Sequence, residues 1–268
     1  MKRILFVILA VLCLAACSEK KPESQRILVM YYSQEGTTRE VAEILSRMLK
    51  ADLQEIEAKQ PYDGDFQATI ERCRIEKAAG AIPAIKYLAK NPKDYDVIFL
   101  GYPIWFGTYA TPIEGLLNQH AADFKGKKVV TFCSFGSGGL QSSTANLRNA
   151  LPEANVVEGY GVRAVRREAI PHELHRFLVE AGYMKGDFDP LPAFMEHHPV
   201  TAEESFIFHD ACDGYQFPLG TPVSVASRTT PDGTEYEFTA SQGENAPEAT
   251  VYVIMDANGK SEFTQVVR

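Results

Sequence analysis

An abrupt change of hydrophobic period at residue 37 limits the fold of this chain more than any other feature. Residues 27–32 (ILVMYY) are six consecutive apolar or aromatic positions, the pattern of a strand covered on both faces. From Thr37 onward Val41, Ala42, Ile44, Leu45, Met48 and Leu49 recur at helical spacing. Residues 31–38 are therefore a strand-to-helix turn carrying hydroxyls and one glycine. The first amides of a helix lack intrahelical partners and sit at the positive end of its dipole, so such a turn suits phosphate. Gly36 permits close backbone approach, and Ser33, Thr37 and Thr38 supply hydroxyl donors. No lysine is present in the loop, which argues against a GxxxxGK[ST] triphosphate loop. For this loop alone, simple capping of the helix by Thr37 or Thr38 is an equal alternative.

A second stretch, residues 97–113 (VIFLGYPIWFGTYATPI), places a buried strand over 97–100 before a loop with the only Trp of the chain. A proline suited to the start of a helix follows. Tyr32-Ser33-x-x-Gly36-x-Thr38 together with Gly101-Tyr102-Pro103-Ile104-Trp105-Phe106-Gly107 resembles the flavodoxin family, over roughly residues 26–183. The resemblance implies FMN as cofactor. It implies that Ser33, Gln34, Gly36, Thr37 and Thr38 bind the phosphate, and that Pro103, Ile104, Trp105, Phe106 and Gly107 bind the flavin ring. Glu35 stands where the family usually has threonine, and brings a carboxylate close to a dianion unless it turns to water. A third loop, residues 134–140, has three glycines in four positions, for a tight turn or for close approach to a flat ligand. By the same resemblance Ser134, Phe135, Gly136 and Gly138 close over the other edge of the flavin.

The remaining pattern alternates. An edge strand is expected over 52–58, helices over 66–79, 111–121 and 171–181, and strands over 127–133 and 155–160. Alternation demands right-handed parallel crossovers and hence an α/β, doubly wound parallel sheet, and the resemblance implies its five-stranded flavodoxin-like order, 2-1-3-4-5. Its switch point lies between the first and third strands, which would bring loops some seventy positions apart to one ligand.

Past residue 183 this alternation stops. Residues 184–200 read as a linker rich in breakers, and 201–268 as a small acidic C-terminal antiparallel β module of about four strands. Its clearest signal is Asn258-Gly259 between apolar runs at 250–255 and 261–267. Whether this module packs on the first part or stands apart is open in the sequence.

The formal charge of −8 is unevenly placed. Residues 26–183 hold 19 Lys and Arg against 19 Asp and Glu, whereas 184–268 hold 4 against 14. On this balance a basic face for nucleic acid is not expected in either part. At the other end Lys2 and Arg3 precede 13 residues, 4–16, that are too few to span a bilayer but have the length of a signal-peptide core. The ending Leu14-Ala15-Ala16-Cys17 resembles the bacterial lipoprotein signal. That implies a signal peptide over 1–16, a lipid on Cys17, a tether over 17–25, and an exported protein anchored to a membrane of the cell envelope; an ordinary secretory signal is the alternative.

Cys73, Cys133 and Cys212 give no disulfide framework, and Cys133 at the end of an apolar strand reads as inert. His172, His175, His197, His198 and His209 match no familiar metal spacing, so no metal is expected. The expected function is transfer of electrons or hydride by FMN to a redox protein partner or a small electron acceptor, with no side chain identifiable as catalytic. An NAD(P)H:quinone-type reductase is a variant of it. In that case Arg163, Arg166 and Arg167 either receive a nucleotide phosphate or form a solvated patch. A flavin-free binding lipoprotein acting through its acidic module is the rival from another class.

Overall fold

The computed structural model describes residues 25–63, 65–187, 189–243 and 246–268. The expected signal peptide, Cys17 and nearly all of the tether lie outside them. No helix among the described residues is long and apolar enough to cross a membrane.

The first part runs β1 (Ile27–Tyr31), α1 (Thr37–Leu49), β2 (Asp52–Glu55), α2 (Phe66–Ala79), β3 (Val97–Trp105), β4 (Thr108–Tyr109), α3 (Thr111–His120), β5 (Lys128–Phe135), α4 (Leu140–Ala150), β6 (Asn155–Arg163) and α5 (Ile170–Glu180). The sheet order is β2-β1-β3-β5-β6, all parallel, with the short β4 antiparallel to β3. This is the expected doubly wound order. Alternate residues of each strand feed two cores. On one face Val29, Phe99, Val130 and Phe132 meet Val41 and Leu45 of α1 and Leu174 and Leu178 of α5. On the other, Leu28, Ile98, Leu100 and Val129 meet Cys73, Leu116 and Leu147 of α2, α3 and α4. Gly101 stands mid-strand because a Cβ there would lie 2.0 Å from the Phe132 ring.

The second part runs β7 (His198–Pro199), α6 (Ala202–Ala211), β8 (Thr221–Thr230), β9 (Gly233–Ser241), β10 (Ala249–Met255) and β11 (Ser261–Val267). Its antiparallel sheet has the order β11-β10-β9-β8-β7. Two features depart from the sequence reading. The end of the expected linker supplies a fifth strand, with His198 opposite Val225. A helix, α6, covers one face of the sheet with Ile207 and Phe208 against Val225, Phe238, Val251 and Phe263. Its start is a capping box, in which Thr201 accepts from the Glu204 amide while Glu204 accepts from the Thr201 amide.

The module packs on the parallel part. The Val266 amide donates to the Ser137 carbonyl at 2.7 Å, and Asp232 at the β8–β9 turn pairs with Arg176 and His172 of α5.

Candidate functional site

The parallel register sets the carboxyl ends of β1, β3 and β5 side by side, with Tyr31 opposite Gly101 and Pro103 opposite Ser134. The three loops leaving those ends meet in one cleft of about 200 Å³.

In the first loop Gly36 is the residue before the helix, in the left-handed region at φ 92°, which a side chain would strain. Among the described residues no side chain caps α1. The capping alternative for Thr37 and Thr38 therefore does not hold: both are the first residues of the helix itself, buried, and lining the cleft. Ser33 Oγ accepts from the Gly36 amide at 3.2 Å and steadies the turn. Gln34 spends its amide on neighbours, accepting from the Tyr32 hydroxyl and donating to the Tyr62 carbonyl at 2.7 Å. Glu35 is exposed at the cleft's mouth, the orientation that lets its carboxylate stay in water.

The second loop is more regular than expected. β3 continues through Trp105 and turns back at once into β4, with Ile104 opposite Tyr109 and Trp105 opposite Thr108. The two turn residues, Phe106 and Gly107, both have positive φ, 52° and 74°, the geometry of a tight two-residue hairpin. Pro103, Ile104 and Trp105 line the cleft. Phe106 and Gly107 do not: the Phe106 ring is 52% exposed beyond it. The Trp105 ring is buried and held edge-on by Tyr32 and Tyr62, with centroids 5.7 and 5.3 Å away. Burial is the main cause that pushes both phenols above their ordinary pKa, so both stay neutral.

In the third loop Ser134, Phe135 and Gly136 line the cleft. The hydroxyls of Ser134 and Thr38 are 2.8 Å apart and buried, so they join the first and third loops across 96 positions. Gly138 lies outside the cleft. Its missing side chain makes room for the module, since a Cβ would stand 2.1 Å from the Val266 carbonyl oxygen.

Four cleft residues were not assigned to the site from sequence: Glu35, Phe66, Thr69 and Ala164. Phe66 and Thr69 come from the first turn of α2, whose sequence shows only a charged helix. The arginines at and after the end of the fifth parallel strand are engaged within the protein, and of the three only Arg167 is exposed. Arg163 donates to the Gly136 and Phe263 carbonyls, Arg166 pairs with Glu173, and Arg167 with Glu40. Burial pushes the Cys133 thiol well above its usual range, which keeps it unreactive.

The cleft thus has two chemically distinct ends. Hydroxyls of Ser33, Thr37, Thr38 and Ser134 surround an uncapped helix N-terminus; Pro103, Ile104, Trp105, Phe135 and Phe66 form apolar walls. Among the described residues no Lys or Arg lines it. Such a donor set suits a single phosphate on a flat, mostly apolar group, which is the shape of FMN. A larger crevice of about 250 Å³ lies between the two parts, but its arginines are already paired, Arg166 with Glu173, Arg176 with Asp232 and Arg228 with Glu235.

A flavoprotein from Bacteroides eggerthii DSM 20697 is 33% identical over 58% of this chain and 99% of its own, with a TM-score of 0.48. A flavoprotein in complex with FMN from Lactobacillus acidophilus NCFM is 24% identical over 57% of this chain and 99% of its own, with a TM-score of 0.46. A flavoprotein from Bacteroides uniformis ATCC 8492, 24% identical over the same shares of 57% and 99%, shares the fold at a TM-score of 0.50. No curated protein matches the chain. The family profile described as Flavodoxin matches residues 26–174, more than half of the sequence. The chain therefore belongs to the flavodoxin family, whose cofactor is FMN.

Proposed function

We propose that this protein binds FMN in the cleft at the carboxyl ends of β1, β3 and β5. With it the protein passes electrons or hydride to a redox protein partner or a small acceptor, while held at a bacterial cell-envelope membrane by lipid on Cys17. The observation that carries the reading is the meeting of the uncapped N-terminus of α1 with buried hydroxyls from two loops, beside the wall formed by Trp105. Bound FMN supplies the reversible redox chemistry, which no side chain of the cleft offers. The amides and hydroxyls of Thr37 and Thr38 hold its phosphate, with the helix dipole adding to the attraction. Trp105 and Phe135 keep water from the ring, and the Tyr32 and Tyr62 edges hold Trp105 in place.

Pairing of Arg163, Arg166 and Arg167 within the protein supports a carrier over a reductase that docks a nicotinamide nucleotide on them. A visible spectrum of the purified chain, before and after FMN addition and dithionite, tests the cofactor. Protein that stays colourless with excess FMN ends the proposal. Oxidation of NADH or NADPH with a quinone present would favour the reductase. Release of a Cys17→Ser variant from membranes tests the tether.

A further inference from the structure

Of the three loops around the cleft, the third is also held from outside the parallel sheet. Gly136 lines the cleft, and its carbonyl accepts from Arg163 Nε at 2.8 Å. The same guanidinium donates through Nη1 to the Phe263 carbonyl at 3.0 Å and lies over the Phe263 ring, 3.4 Å from its centroid. The next residue, Ser137, accepts from the Val266 amide at 2.7 Å. Gly138 follows, pressed under Val266 with no space for a Cβ. Three successive loop residues are thus fastened to β11, one of them through Arg163.

A glycine-rich loop has more conformational freedom to lose than any other, and a cofactor that must order it binds more weakly by that amount. Strand β11 has ordered it beforehand. We propose that the C-terminal module is a working part of the cofactor site. In this arrangement β11 and Arg163 hold residues 136–138 in the shape that receives FMN, and Arg163 is a positioning residue for cofactor affinity. The inference rests on the cleft being the FMN site. Linkage makes the coupling reciprocal, so FMN must tighten the docking of the module by the factor by which docking tightens FMN.

The test uses the full chain. FMN affinity is read by quenching of flavin fluorescence, the midpoint potential by dithionite titration, and docking by hydrogen exchange at the Val266 amide. Gly138→Ala sets a methyl group against the Val266 carbonyl, and Arg163→Gln removes the bridge. Each is expected to raise the Kd for FMN about tenfold, the scale of one charge-assisted hydrogen bond, and to shift the potential. Arg163→Lys recovers only part of the loss, because an ammonium cannot present the planar fork that reaches both carbonyls. In the wild type, FMN slows exchange at Val266.

Variants that speed Val266 exchange yet bind FMN with wild-type Kd overturn the inference, as does wild-type exchange indifferent to FMN. The second result needs no variant, so it decides the matter even where a substitution fails to fold. A wild-type chain that takes up no FMN overturns instead the reading of the cleft, and this inference falls with it.

Discussion

Along β3 and β5 nearly every residue is buried, whereas β9 and β10 of the module alternate buried with half-buried positions. In the first sheet helices cover both faces; in the second α6 covers one, and the other turns toward the parallel part. A strand covered on both faces has only its ends free, so the donors of the parallel part gather where β1, β3 and β5 stop. A sheet with one open face spends that face on attachment. There Arg228 and Glu235 pair across adjacent strands, and Asp232 reaches over to α5. The two regions therefore divide the polar work: donors that converge on a cleft in one, charges satisfied by one another in the other.

Truncating one core residue in each region is the strongest way to break this division. Phe132→Ala and Phe238→Ala should each cost about 3–5 kcal/mol, the usual range for a buried Phe. The first should abolish FMN uptake, while the second leaves the chain coloured at saturating FMN. Urea titration followed by fluorescence separates them, because the only Trp, Trp105, reports on the parallel part alone. Circular dichroism follows both parts.

Within the cleft, Trp105→Ala should raise the Kd for FMN at least about tenfold, since an aromatic wall contributes about 0.5–1.5 kcal/mol beyond its buried area. Fluorescence titration checks it, and an unchanged Kd would remove Trp105 from the site. Thr38→Val keeps the shape but leaves the Ser134 hydroxyl without its partner, at a cost of about 1 kcal/mol in stability. Thermal melts of the apoprotein measure that loss.

The smallest effect belongs to the attachment. Burial alone would raise the pKa of Asp232, but the Arg176 hydrogen bond and the charges of Arg176 and His172 outweigh it and hold the carboxyl below its usual 3.8. A lowered folded pKa means that the stabilisation is complete above 3.8 and is lost as pH falls through the lower, folded value. Measured relative to the intrinsic amide rate, which itself slows in acid, exchange at the Val266 amide should accordingly become faster as pH falls below 3.8 in the wild type. In Asp232→Asn it should be fast already at neutral pH, with no acid step.

Much of the first region was legible because its signals are local. Helix α2 begins and ends where the sequence reading put it, since Asp65 accepts from the Ala68 amide and Gly80 takes a left-handed turn at φ 61°. Alternation gave the parallel, doubly wound sheet, and the resemblance carried by residues 32–38 and 101–107 gave the order of its strands. Pro103 obscured the true length of β3, because a proline inside a run reads as a break, yet here it pairs in register with Ser134. Helix α6 was hidden by its apolar stretch Phe206-Ile207-Phe208, which looks like a strand, although Thr201 and Glu204 already spelled a capping box. The fates of Arg163 and Gly138 could not be read locally, since their partners lie about a hundred positions on, in β11. The glycines of the third loop serve two different ends: Gly136 gives access to the cleft, and Gly138 to the module.

The chain enters the parallel sheet at the amino end of β1, where Arg26 and Asp96 exchange hydrogen bonds, while the cleft opens beyond its carboxyl end. Those five residues separate the two by about 17 Å at 3.3 Å per residue. The described chain therefore enters the sheet at the end opposite the cleft, and the approach to the cleft is not shared with that entry.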